Sequence, residues 1–178
     1  MPRLAAVEPA SHPAFAGGVP PINIFRGLAA NEEIFKGFLG FMGSIKQSKA
    51  LTEAELETVA LATAQFMGCD YCLAAHTKIA AGAGLDGGHA ISIRQGRGAT
   101  PREQALIDFT RHILHSKGFV TDAELAAFRG AGFDDRAAIA VIAEATAMTF
   151  TGLYNHVHQT EVDFPAAPAL EAAGARAR

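Results

Sequence analysis

The sequence predicts an all-α protein, and three observations carry that prediction. Apolar residues recur at helical spacing through most of the 178 residues, as in Ile34, Phe35, Phe38, Leu39, Phe41, Met42 and Ile45. Thr-x-x-Glu pairs, which can satisfy two amides of a first helical turn, stand before apolar runs at Thr52/Glu55, Thr100/Glu103 and Thr121/Glu124. Nowhere does a period of two persist, and no Val/Ile/Thr cluster lies between hairpin turns. Seven or so helices around one core are expected, since a single core serves chains of roughly 100–200 residues.

Residues 1–21 carry Pro9, Pro13, Gly17, Gly18, Pro20 and Pro21 and read as an irregular arm lying on a surface. The helical domain is expected over residues 22–165, and an Ala-rich tail over 166–178. Asn31 is placed to cap the first long helix ahead of Glu32 and Glu33. Thr52 opens the next helix, which ends near Met67, and Gly68 starts another that stops at Gly84. Pro101 takes the first position of the Thr100 helix, where its missing N–H costs nothing. Further stops are expected at Gly96, Gly118 and Gly130. The last long helix runs from Asp134 or Asp135 to about His158. Nearly every position from Ala137 to Leu153 is apolar or small, so burial on most sides follows.

Composition excludes several classes. A hydrophobic share of 49% supports a packed core rather than a disordered chain. With 15 basic against 18 acidic residues and no Lys/Arg stripe, nucleic acid is not an expected partner. The longest uncharged run, residues 9–25, holds four prolines, and no stretch is expected to offer about twenty lipid-compatible helical residues. The first residues show no basic region followed by an apolar core, so a cytoplasmic protein is expected.

The two cysteines, Cys69 and Cys72, lie too close together to staple a secreted scaffold. Cys69, Cys72 and His76 are spaced i, i+3 and i+7, so a helix starting at Gly68 places all three on one face. Cβ atoms at i and i+3 are about 5–6 Å apart, and a disulfide needs about 4 Å. A first turn can make that adjustment, so the pair can open and close. The positive end of the helix dipole favours a thiolate there, and His76 can accept or relay its proton. Glu57 lies about 15 Å before the preceding helix ends, and His76 about 10 Å into the following one. An antiparallel turn at Gly68 brings them to similar heights, where a carboxylate orients the imidazole. A proton relay feeding a redox dithiol is the favoured reading. Zinc held by two cysteines, a histidine and a carboxylate is another, and incidental buried sulfur a third.

The string Glu57-x11-Cys69-x2-Cys72-x3-His76, set in Leu56–Ala62 and Gly68–His76, resembles the AhpD-like (alkylhydroperoxidase D / carboxymuconolactone decarboxylase) family. Pro21–Arg26 and Tyr154–Pro165 resemble the end segments of its peroxidase-related branch. The resemblance implies an all-α fold with the site on a helical hairpin, in subunits that assemble as trimers or hexamers. It also implies reduction of hydroperoxides, with Cys72 peroxidatic, Cys69 resolving, and Glu57 and His76 as the relay. No bound cofactor or metal is implied; an external dithiol or a lipoyl-bearing protein restores the pair. Tyr71 stands where the type enzyme has a histidine, and a phenol near pKa 10 cannot act as its base. Tyr71 is therefore a pocket wall. Two alternatives stand beside this reading: lactone chemistry of the decarboxylase branch, which does not rely on a C-x-x-C pair, and a non-catalytic oligomeric binding protein.

His156 fits the branch pattern and is a candidate for the pocket or for a subunit contact; a hydrogen-bonded structural histidine is the alternative. His112 and His115, without an evident partner ligand, read as solvated or structural. His12 and His89 carry no signal. Phe25, Phe35, Phe38 and Phe41 read as core. The apolar Ile22–Ile45 and Asp134–His158 regions exceed what one such domain buries, so a homo-oligomer is expected, the arm wrapping a neighbour.

Overall fold

Eight α-helices and no strand make up residues 2–170, which the computed structural model describes: α1 Asn23–Leu28, α2 Glu32–Ser48, α3 Glu53–Met67, α4 Asp70–Gly82, α5 Gly87–Arg94, α6 Pro101–Ser116, α7 Asp122–Gly130 and α8 Asp135–His158. The all-α expectation holds. Part of the Ala-rich tail, residues 171–178, lies outside the described residues.

Helix α3 is the central element. Its residues from Leu56 to Ala64 are buried without interruption, and α4, α5, α6 and α8 pack around it. Three alanines and Thr58 and Thr63 line that stretch, so neighbouring backbones approach closely, and Thr63 satisfies its hydroxyl on the Val59 carbonyl. One apolar cluster joins α3 to α6, α7 and α8 through stacked Phe109, Phe128 and Phe133. A second surrounds the cysteines, and a third fills the space among α3, α5 and α6.

The caps explain the boundaries. Thr52/Glu55 and Thr121/Glu124 form complete capping boxes. The Thr100 box is half made: Thr100 accepts from Glu103 N–H, but the Glu103 carboxylate turns to Ala99 N–H and to His89 instead. Gly84, Gly96 and Gly118 sit in the left-handed region, and α7 stops at Gly130 as expected, though in ordinary geometry, the left-handed residue there being Gly132. Gly68 does not start a helix. It caps α3 at φ 63°, and Cys69 becomes the N-cap of α4.

Three further expectations are corrected. The arm, expected to be irregular, forms two short 3-10 turns: Val7 and Phe15 pack on the apolar cluster around the cysteines, Phe15 beside Phe35, and Val7 N–H donates to the Arg26 carbonyl at 2.9 Å. Helix α8 is not buried on most sides. Ile139, Ile142, Phe150, Leu153 and Val157 form an exposed stripe along it, opposite the face packed on α3. By length and composition α8 is also apolar enough to cross a membrane, which the residue-by-residue reading did not expect; half of that stretch is buried inside the protein.

Candidate active site

The α3–α4 turn sets the site. Left-handed Gly68 reverses the chain, and Cys69 then caps α4, its sulfur accepting the Cys72 N–H at 3.2 Å. Cys69 thus stands one position outside the helical face it was expected to share. The cap brings the two Cα atoms to 5.3 Å, and the sulfurs are joined as a disulfide. One turn further on, His76 Nδ1 meets Glu57 Oε2 at 2.9 Å, with both side chains largely buried. The four motif residues therefore come together, though Cys69 is fully covered while Cys72 faces an open cavity.

That cavity, of about 360 Å³, has apolar walls from Phe25, Phe38, Leu39, Met42 and Met148. Its polar groups are few: Glu57, His76, Lys46 of α2, and Glu144, Thr151 and Asn155 of α8. A mostly apolar pocket with convergent polar groups is the usual form of a small-molecule site. Tyr71 lines it too, as expected. Its hydroxyl donates to Asp163 at 2.7 Å and accepts from Ile24 N–H at 3.3 Å, and Phe164 packs edge-on against its ring. Burial and the Asp163 carboxylate push the phenol upward, so it is no base near neutral pH.

His156 is not at the site: its side chain is exposed, and Asn155, one residue earlier, takes that place. Asn155 Nδ2 reaches both sulfurs, at 3.4 Å to Cys72 and 3.6 Å to Cys69. Glu144 is the other residue that spacing arguments missed. It is 3% exposed, and burial, reinforced by the charge of Glu57, pushes its carboxyl up to about 7 against the opposing pull of His76 and Lys46. Burial works against a charged His76, but the Glu57 hydrogen bond and the charges of Glu57 and Glu144 outweigh it and raise the imidazole's proton affinity. The remaining histidines serve structure: His112 pairs with Glu124 at 2.6 Å, His115 packs on Phe66, His89 pairs with Glu103, and buried His158 accepts Leu4 N–H at 3.2 Å. Among the described residues, no cluster of three His, Cys, Asp or Glu side chains is arranged to hold a metal.

Residues 32–111, from α2 into α6, match the model of the carboxymuconolactone decarboxylase family. The matched segment holds Glu57, Cys69, Cys72 and His76, so over these residues the chain is similar to that family, the one the sequence resembles. Among solved structures, the chain is similar to the alkylhydroperoxidase AhpD core of an uncharacterized peroxidase-related protein from Ralstonia eutropha JMP134. The TM-score is 0.80 at 23% identity, over 91% of this chain and 92% of that one. An uncharacterized peroxidase-related protein from Silicibacter sp. TM1040 aligns with a TM-score of 0.73 at 17% identity, over 79% and 76%. The debrominase Bmp8, in a variant bound to 2,3,4-tribromopyrrole, aligns with a TM-score of 0.78 at 14% identity, over 90% and 91%. At such identities these likenesses establish the fold. No curated protein matches the chain.

Proposed function

We propose that this protein is a thiol-dependent peroxidase that reduces organic hydroperoxides through the Cys69–Cys72 pair. One observation carries the reading: a disulfide whose outer sulfur, Cys72, opens on an apolar cavity beside a histidine–carboxylate pair. Cys72 is the peroxidatic residue, since it faces the cavity, and covered Cys69 resolves. His76, held by Glu57, takes the Cys72 proton. The thiolate attacks the peroxide, a sulfenic acid forms, and Cys69 condenses to the disulfide. A dithiol or lipoyl-type protein restores the pair, and no bound cofactor or metal takes part.

The test is turnover with a dithiol reductant and an alkyl hydroperoxide. Cys72→Ser abolishes it, and Cys69→Ser permits a single oxidation event. Equal turnover by wild type and Cys72→Ser ends the reading. The proposal includes a homo-oligomer, a trimer or hexamer, supported by the exposed apolar stripe of α8. A stable monomer of 18.6 kDa in light scattering at micromolar concentration contradicts that part.

The likeness to a debrominase bound to a bromopyrrole favours a second reading, removal of halogen from an aromatic ring by the same dithiol. The apolar cavity suits such a ring. Bromide release from a bromopyrrole, with stoichiometric loss of thiols and no consumption of peroxide, selects it.

A further inference from the structure

We propose that Asn155 is a catalytic residue of this peroxidase, its amide N–H holding the Cys72 sulfur and its carbonyl oxygen orienting the incoming hydroperoxide. The inference rests on the peroxidase reading above. Asn155 enters from α8, is 5% exposed, and lines the same cavity as Cys72 and His76. Its Nδ2 lies 3.4 Å from Cys72 Sγ and 3.6 Å from Cys69 Sγ, so one donor spans the reacting pair. Its Oδ1 is buried without a hydrogen-bond partner among the described residues. Buried acceptors are rarely left so, and an unmet one at a reaction centre calls for an explanation. A hydroperoxide O–H supplies the missing donor.

The geometry also assigns a use to each half of the amide. A sulfur accepts more strongly as thiolate than as disulfide, so the Nδ2 contact strengthens in the state that reacts. Cys72 thiolate attacks the hydrogen-bearing oxygen held at Oδ1. The S–O bond forms as the O–O bond breaks, and the electron pair leaves on the other oxygen. That oxygen takes the proton His76 had accepted from Cys72 and departs as the alcohol. The peroxide is reduced, and Cys72 is oxidised to the sulfenic acid, keeping the O–H that Asn155 oriented. Cys69 then attacks the Cys72 sulfur, the S–S bond forms, and hydroxide leaves with the Cys69 proton as water. Asn155 neither gains nor loses a proton throughout.

The test uses the reduced full chain carrying Cys69→Ser, with Asn155→Ala and Asn155→Asp added separately. The ultraviolet absorbance of the Cys72 thiolate is followed against pH, and its oxidation by tert-butyl hydroperoxide is followed in a single turnover. The other ionisable groups on the cavity, Lys46, Glu57, Tyr71, His76 and Glu144, remain in place. Losing one charge-assisted hydrogen bond moves the thiolate titration of Asn155→Ala up by about one pH unit. Asn155→Asp moves it further, since a carboxylate replaces the donor. The rate at full thiolate formation falls about tenfold or more in both, because the orienting acceptor is lost or misdirected. Circular dichroism checks the fold, and the near-isosteric Asp variant carries the test if the Ala variant fails to fold. An unchanged titration and an unchanged thiolate rate overturn the role of Asn155 while the parent's oxidation still upholds the peroxidase reading. A parent thiol that tert-butyl hydroperoxide does not oxidise overturns both.

Discussion

Tyr71 and Asp163 are joined by a 2.7 Å hydrogen bond that ties the residue between the two cysteines to the segment after the last helix. The same carboxylate accepts the Asn23 N–H at 2.7 Å, so α1, α4 and the chain after α8 meet at one point on the cavity rim. Tyr71→Phe removes the donor to Asp163 and the acceptor for Ile24 N–H. The expected cost is about 1–2 kcal/mol, or roughly 2–8 °C in Tm for a chain of this length. Hydrogen exchange of residues 161–164 rises with it. An unchanged Tm together with unchanged exchange shows that the phenol is not a tether.

Glu57→Gln keeps the shape of the side chain and removes its charge. His76 then loses the main support for its imidazolium while the opposing burial remains, so its titration moves to lower pH by nuclear magnetic resonance. Peroxide oxidation of Cys72 near neutral pH slows on the order of a hundredfold, the usual contribution of a positioned acid–base group. A His76 titration that does not move removes Glu57 from the relay.

Glu144 makes stability depend on pH with a definite sign. Its carboxyl binds protons more tightly when folded, its pKa being about 7 against the ordinary 4.5 of a free glutamate. The native state therefore holds more protons than the unfolded chain between those values, and stability falls as pH rises through them, by about 3 kcal/mol. The raised His76 acts in the same direction, its contribution being lost as pH climbs above the ordinary imidazole range. Glu144→Gln carries no such titration, so chemical denaturation at pH 8 finds it more stable than wild type, with the gap closing by pH 4. Parallel stability curves for the two proteins contradict the assignment.

Gly27 answers a packing demand rather than a turn. A Cβ there collides with the Tyr154 hydroxyl and comes within 3.1 Å of His158 Nε2. Gly27→Ala is expected to cost about 1–3 kcal/mol. Tyr154→Phe removes the colliding oxygen, which is itself buried without a partner among the described residues, and so recovers much of that loss in the double variant. Additive losses show that the strain lies elsewhere.

The helix caps and the four motif residues were legible because each rests on short-range spacing. Thr52, Thr121 and Asn31 cap the turns they precede, and Glu57 and His76 lie on consecutive helices joined by a tight reversal. Glu144 and Asn155 were not, because α8 delivers them from more than sixty residues beyond His76. A signal for Glu144 existed: a lone carboxylate between Ala143 and Ala145 on an apolar helix is buried only where charge or hydrogen bonds receive it. His156, the candidate the sequence offers, and Asn155 differ by one residue, and on a helix one residue turns the side chain by about 100°. The packing of α8 against α3 and α4 decides that Asn155 faces the cavity, and no local spacing reveals that rotation.

Because Cys69 is the N-cap of α4, its sulfur belongs both to the reactive pair and to the scaffolding of a helix. Reduction opens the covalent link across that turn and leaves the Cys69 sulfur a thiol, which holds the Cys72 N–H by its hydrogen bond alone. The electron count of the pair is thus transmitted into backbone order, and the first turn of α4 becomes a reporter of redox state. Amide exchange at Cys72 quickens on reduction and slows on oxidation, while the distant first turn of α7 keeps a constant rate. A fluctuating oxidant supply would then be felt as a helix end alternately firming and loosening beside the cavity mouth.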